Sequence, residues 1–316
     1  MMLRLRTEIE RTPLRQLVGC REGVLLLGSC FTDNIGGWMV DHWLPVMSNP
    51  WGVLFNPASI AESLQRILSP SAVTSFELHE QAGRYYSFAH HGKWSHPDAE
   101  TLQRMLTNLD AEVRNFWLKS RHLFITLGTS WVYEREGKVV ANCHKFPAGD
   151  FTRRRLSVEE IVDHWSPIIE ASPDKHFIFT VSPIRHIKDG LHGNQLSKSI
   201  LLLAIDVLQE RFVEQVEYLP VYELLMDDLR DYRFYADDLV HPSTLAVEAV
   251  KELVTDCCFS PQMKQYFAEA MPLVKALQHR PNDPESNEYK QFLQNTLQLK
   301  DALLAKYGLA STHFEP

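Results

Sequence analysis

Apolar residues fall along this chain in short uninterrupted runs, separated by longer stretches whose apolar positions recur at helical spacing. The runs cover residues 24–27, 44–47 (the weakest), 122–127, 176–181 and 216–219. Runs this short that do not alternate with polar residues predict strands buried on both faces of a sheet. Between them, Asn56-Pro57 ahead of ASIAESLQRIL reads as a helix start with proline in the first turn. Residues 100–119 repeat apolar positions at helical intervals, and 194–211 form a long amphipathic stretch. Ser157-Val158-Glu159-Glu160 carries the capping-box pattern of a helix beginning. Strand and helix in alternation predict an α/β fold on a doubly wound parallel sheet. Ligands of such sheets bind at the carboxyl ends of the strands, so chemistry is sought just after each apolar run.

The texture changes after residue 259. Residues 260–279 and 288–307 have helical spacing, HRPNDPES breaks them, and no strand signal follows. We therefore expect a domain over 1–259 and a helical C-terminal extension over 260–316. Residues 76–99, FELHEQAGRYYSFAHHGKWSHPDA, are rich in aromatics and histidines and are expected to form an irregular insertion.

Composition narrows the class. With 316 residues, 45% hydrophobic and 23% charged, the chain has the balance of a soluble globular protein and can bury a core without metals or disulfides. A net charge of -8 argues against a nucleic-acid partner. The densest basic run, Arg153-Arg154-Arg155, is expected to be a solvated loop or helix start. Five cysteines, an odd number with no CxxC pair, fit a reducing compartment. The N-terminal segment lacks the apolar core of a signal peptide, and no uncharged apolar stretch approaches the roughly 18 residues of a membrane span. The expectation is a cytoplasmic protein without a membrane partner.

The residues after the runs carry the chemistry. Gly28-Ser29-Cys30-Phe31 follows the first, Asn49-Pro50-Trp51-Gly52 the second, and Gly128-Thr129-Ser130-Trp131 the third. Ser182-Pro183-Ile184-Arg185-His186 follows the fourth, and Asp237-Asp238-Leu239-Val240-His241 comes late. This order resembles the SGNH (GDSL-like) hydrolases, with serine after the first strand, glycine after the second and a late DxxH. GSCF at 28–31, NPWGVLFNP at 49–57, ITLGTSWVYE at 125–134 and NCHK at 142–145 more narrowly resemble the GSCFA family. TVSPIRH at 180–186, NQLSKS at 194–199 and LRDYRFYADDLVHPS at 229–243 extend that similarity over roughly residues 20–255. The resemblance implies a flavodoxin-like hydrolase fold, a serine nucleophile and no cofactor or metal.

On that pattern Ser29 is the nucleophile and His241 its base, since a serine hydroxyl reacts only once a base takes its proton. Asp238, three residues earlier, can orient the ring and stabilise the imidazolium, with Asp237 the less well spaced alternative. Taken alone, Ser29 is also a good helix N-cap. Cys30 could be a thiolate at a helix N-terminus, but cysteine is usually a small buried residue, and neighbouring side chains diverge. The N–H groups of Ser29 and Gly52 are the expected oxyanion donors. Where the wider pattern has a GxN asparagine this chain reads Gly128-Thr129-Ser130, so the third donor is sought among Thr129, Ser130 and Asn142.

Trp51, Trp131, His144, Arg185 and His186 are candidates for binding substrate. Arg185 offers a planar fork for a carboxylate or phosphate, and the tryptophans, Trp94 included, an acyl or sugar surface. His79, His90, His91 and His96 lack the HxH or HxxxH spacing of a metal site. The expected activity is hydrolysis of a short acyl ester, acetyl in particular, on a small molecule or glycan. An acyltransferase and a non-catalytic interaction protein on the same scaffold are the alternatives.

Overall fold

A computed structural model of the chain describes residues 7–69 and 75–309. In chain order the elements begin with β1 (Gly23–Gly28), α1 (Cys30–Asp41), β2 (Val46–Ser48) and α2 (Pro57–Leu68). Then come β3 (His79–Gln81), β4 (Arg84–Tyr86), β5 (Ser95–His96), α3 (Ala99–Lys119) and β6 (Ser120–Leu127). β7 (Trp131–Arg135), β8 (Lys138–Val140), β9 (Thr152–Arg155), α4 (Val158–Glu170) and β10 (His176–Val181) follow. The chain continues through α5 (Gly190–Arg211), β11 (Val216–Tyr218), α6 (Val221–Glu223), α7 (Thr244–Cys258), α8 (Pro261–Gln278) and α9 (Asn287–Tyr307).

Five of these strands form one parallel sheet in the order β11-β10-β6-β1-β2. The apolar runs are strands because each residue must satisfy a core, and successive side chains point to opposite faces. Leu25 and Leu27 of β1, with Leu123 and Ile125 of β6 and Phe177 and Phe179 of β10, pack against α2, α4 and α5. Val24, Leu26, Phe124 and Ile178 point the other way, into a core shared with α1, α7, α8 and α9. The two C-terminal helices close the outer side of this second core, α8 against α1 and α9 against α8. Tyr266 donates its hydroxyl to the carbonyl of His42 at 2.5 Å, and Phe267 lies 4.6 Å from the Trp38 ring. No described helix is long and apolar enough to cross a membrane.

Two expectations change. Residues 76–99 are not irregular: they hold the antiparallel sheet β3-β4-β5. Ala82 and Gly83, both at positive φ (52° and 74°), make the tight turn that matches strand twist. The arginine run is neither loop nor helix start but strand β9, paired with β7 in the sheet β8-β7-β9. Two of its three charges are compensated, since Arg154 binds Glu134 and Glu160, and Arg153 binds Asp189, while Arg155 lies over the Trp131 ring.

Counted along the chain, the strands of the main sheet run 2-1-3-4-5, the flavodoxin-like order, whose switch point lies between β1 and β6. At that point β1 ends on Gly28, at φ +131°, a region that L side chains rarely adopt. A Cβ there would sit 2.1 Å from the Thr126 carbonyl oxygen, on the neighbouring strand's backbone. Gly28→Ala is therefore expected to destabilise the fold by the strain alone by about 1–3 kcal/mol, with the clash added. Urea unfolding of the variant measures it.

Candidate active site

Ser29 follows Gly28 directly and takes the N-cap position of α1, with extended backbone (φ -72°, ψ 170°). Serine there normally accepts a hydrogen bond from a first-turn amide. Ser157, Ser243, Ser260 and Ser286 do so at the starts of α4, α7, α8 and α9. Ser29 does not: its side chain makes no capping bond, and its buried Oγ has no hydrogen-bond partner. Leaving a buried hydroxyl unpaired costs about 1–3 kcal/mol, and such an exception calls for a reason. At the opposite end of the sheet two buried histidines are joined to each other and to carboxylates. His122 and His176 meet at 3.1 Å, and their other ring nitrogens lie on Glu22 and Glu217 at 3.0 and 2.7 Å.

The Ser29 hydroxyl lies at a cleft of about 570 Å³ at the carboxyl ends of β1, β6 and β10. Phe55 and Asn56 ahead of α2, Gly128 and Thr129 after β6, Ser182 after β10, and His241 share its lining. His241 and Asp238 form a unit within one loop, which is closed by an antiparallel bridge between Tyr235 and Pro242. The Asp238 carboxylate lies 2.5 Å from His241 Nδ1 and accepts the N–H groups of Val240 and His241, each at 2.9 Å. Hydrogen bonds from the His241 and Val240 amides, then from the His241 ring, lower the Asp238 carboxyl to about 2. An ionised carboxylate only accepts, so Nδ1 carries a proton and Nε2 is left as the basic nitrogen of a neutral ring. The carboxylate that meets the His241 ring is thus that of Asp238, not Asp237.

Arg185 ties this loop to the cleft wall. Its Nη2 donates to the Tyr235 hydroxyl at 2.7 Å, and the guanidinium lies over the Tyr235 ring at 4.4 Å and the Tyr232 ring at 5.6 Å. His186, also in the lining, is held down to about 4, first by burial and then by the charge of Lys198. Trp131 lines the cleft with its face covered by Arg153, 4.2 Å away.

The other expected site residues divide between the cleft and the core. Gly52 does not line the cleft: its N–H is donated to the Asn49 carbonyl at 2.8 Å, and its missing side chain makes room for His91. The Ser29 N–H continues the β1–β6 ladder to the Thr126 carbonyl, at 3.1 Å. Ser130 is wholly buried, its hydroxyl on Ser197 at 3.1 Å. Thr129 reaches the cleft, but its hydroxyl is held by Ser197 and by the Trp131 N–H. Trp51 is a core residue whose indole donates to Asp110 at 2.6 Å. His144 is buried against Tyr86, with Nε2 on the Ser87 carbonyl. Asn142 lines the cleft, its amide oxygen accepting the His144 N–H at 2.8 Å. The side chain of Cys30 lies outside the described residues.

Asn56 is the site residue that the sequence hid. Leu54 donates to the Gly28 carbonyl, while Gly128 and Thr129 both donate to the Phe55 carbonyl. These bonds lay segment 54–56 across the ends of β1 and β6. Asn56, buried in the cleft lining, is fixed by its own cap: Oδ1 accepts the Ser59 N–H and Nδ2 donates to Ser59 Oγ. An amide nitrogen has two donors, so one remains beyond that bond. The FNP triplet signals a helix cap, which Asn56 is, and that signal does not reveal that the same side chain also lines the cleft.

Fold and site define an α/β protein of flavodoxin-like strand order that presents an unpaired serine at the end of its first strand. The family model of the GSCFA family matches residues 23–253, and that of the GSCFA domain protein C-terminal domain matches residues 271–312. The chain belongs to the GSCFA family. No curated protein is matched by it.

Proposed function

We propose that the protein is a serine ester hydrolase of the SGNH type, cleaving a short acyl ester. Ser29 Oγ attacks the ester carbonyl carbon while His241 Nε2 takes its proton, and Asp238 stabilises the imidazolium formed. The tetrahedral oxyanion takes the free Nδ2–H of Asn56. Collapse breaks the ester bond, His241 returns the proton to the departing alcohol, and an acyl-serine remains. Water, activated by the same imidazole, releases the acid. The observation that carries this reading is the buried, uncapped Ser29 hydroxyl in one cleft with an imidazole fixed by Asp238. No hydrogen bond joins Ser29 and His241 in the free protein, and catalytic contacts often tighten only with substrate bound. Burial of the hydroxyl at the cleft floor favours a small acyl group. A series of p-nitrophenyl esters from acetyl to octanoyl tests this, with turnover expected to be greatest for acetyl. Absence of hydrolysis across the series in folded protein would count against it.

Asn56→Ser keeps a capping oxygen and removes the amide donor. Its kcat is expected to fall about 10²–10³-fold with little change in KM, whereas loss of the cap alone would lower the melting temperature and spare kcat.

A further inference from the structure

The charge of the cleft is at odds with that of the protein. Of its lining residues, Arg153, Arg185 and Lys188 are cationic and only Asp189 is anionic, in a chain of net charge -8. Asp189 is already bound to Arg153 at 2.5 Å. Arg185 is packed on tyrosines and Lys188 is exposed; among the described residues neither has a carboxylate partner. A second cleft, beside the β7–β8 turn, shows the ordinary case. There Glu62, Glu77, Glu134 and Glu136 face Arg66, Arg135, Lys138 and Arg154, and the charges balance.

A further cation lies under the floor. Lys198 of α5 is buried, and its ammonium donates to the carbonyls of Gly128 and Ser182, both at 2.6 Å. These carbonyls end β6 and β10, and both residues line the cleft. Burial without a counter-ion lowers the Lys198 ammonium to about 7, and its two carbonyl partners favour the protonated form that can donate to both. A cleft lined by one sign of charge over low-dielectric walls concentrates ligands of the other sign.

We infer that the substrate of this site is an ester bearing a second, anionic group, a carboxylate or phosphate, which Lys188 and Arg185 hold while Ser29 acts on the acyl bond. The inference rests on the ester hydrolase reading above. Arg185 is suited to it because its fork also holds Tyr235, so an anion bound there draws on the residue that seats the His241 loop.

The experiment compares kcat/KM for 4-acetoxybenzoate with that for neutral 4-acetoxybenzamide, and includes 4-acetoxyphenyl phosphate as a separate arm. At low salt the favoured anionic ester is expected to exceed the amide about tenfold, from one charge contact in a partly solvated site. At 0.5 M salt the preference should largely disappear. In Lys188→Glu it should vanish at any salt, while Lys290→Gln, far away on α9, leaves it intact. The carboxylate and phosphate arms identify which anion is preferred. Equal hydrolysis of neutral and anionic esters by the wild type would overturn the inference and leave the hydrolase reading standing. No hydrolysis of any of the three, with no phosphonylation of Ser29 by a neutral fluorophosphonate, would overturn both.

Discussion

Ser29→Ala is expected to lose ester turnover by at least about ten-thousandfold in kcat while folding as well as the wild type or better. The two halves of that result come from one fact. The Ser29 hydroxyl is buried and makes no hydrogen bond, so its removal takes nothing from the folded state and relieves an unpaired polar group. Stability should stay level or rise by about 1 kcal/mol. Ser157→Ala provides the contrast, because that hydroxyl caps α4 and is part of a complete capping box. Its loss should lower stability by about 1 kcal/mol and leave turnover alone. Cys30→Ala should retain turnover. Activity surviving in Ser29→Ala but lost in Cys30→Ala would move the nucleophile to the thiol. Paired kcat and urea-unfolding measurements on the three variants give the answer.

His241→Gln is expected to reduce kcat to a similar degree, about ten-thousandfold, again without unfolding the protein. The ring is half exposed and its polar partner is Asp238 in the same loop, so the core does not depend on it. Asp238→Asn should have a smaller effect on kcat than His241→Gln. The amide still accepts the Val240 and His241 N–H groups, but it neither fixes the tautomer nor stabilises the imidazolium. With Asp238 held at about 2, that carboxylate stays ionised through any ordinary pH profile.

The parallel sheet was legible because its strands are apolar on both faces and its helices announce themselves by spacing and caps. The 176–181 run is strand β10 residue for residue, and Ser157 caps α4 as its sequence pattern indicates. The Asp238–His241 pair was legible because three residues in one loop suffice to build it. Most departures from the sequence pattern come from a partner distant in sequence. Trp51 follows a strand as a pocket residue would, but Asp110, on α3, draws its indole into the core. The arginine run became a strand because β7, twenty residues earlier, offers it both a ladder and carboxylates. Gly52 follows a strand as an oxyanion donor would, yet its glycine character answers to the His91 side chain. The two small hairpins turn on Ala82 and Glu136, residues that do not advertise positive φ, each with glycine next in line. Asn56 was legible as a cap and could not be read as anything more until Leu54 and Phe55 were seen to cross the ends of β1 and β6.

The most direct measurement is the reaction of the folded protein with a fluorophosphonate, followed by peptide mass analysis. A serine activated by His241 should be phosphonylated once, on the peptide containing Ser29, and the adduct should be absent from Ser29→Ala and much slower to form in His241→Gln. A folded wild-type protein that takes up no probe, or takes it up at another residue, would mean that Ser29 is not a catalytic nucleophile.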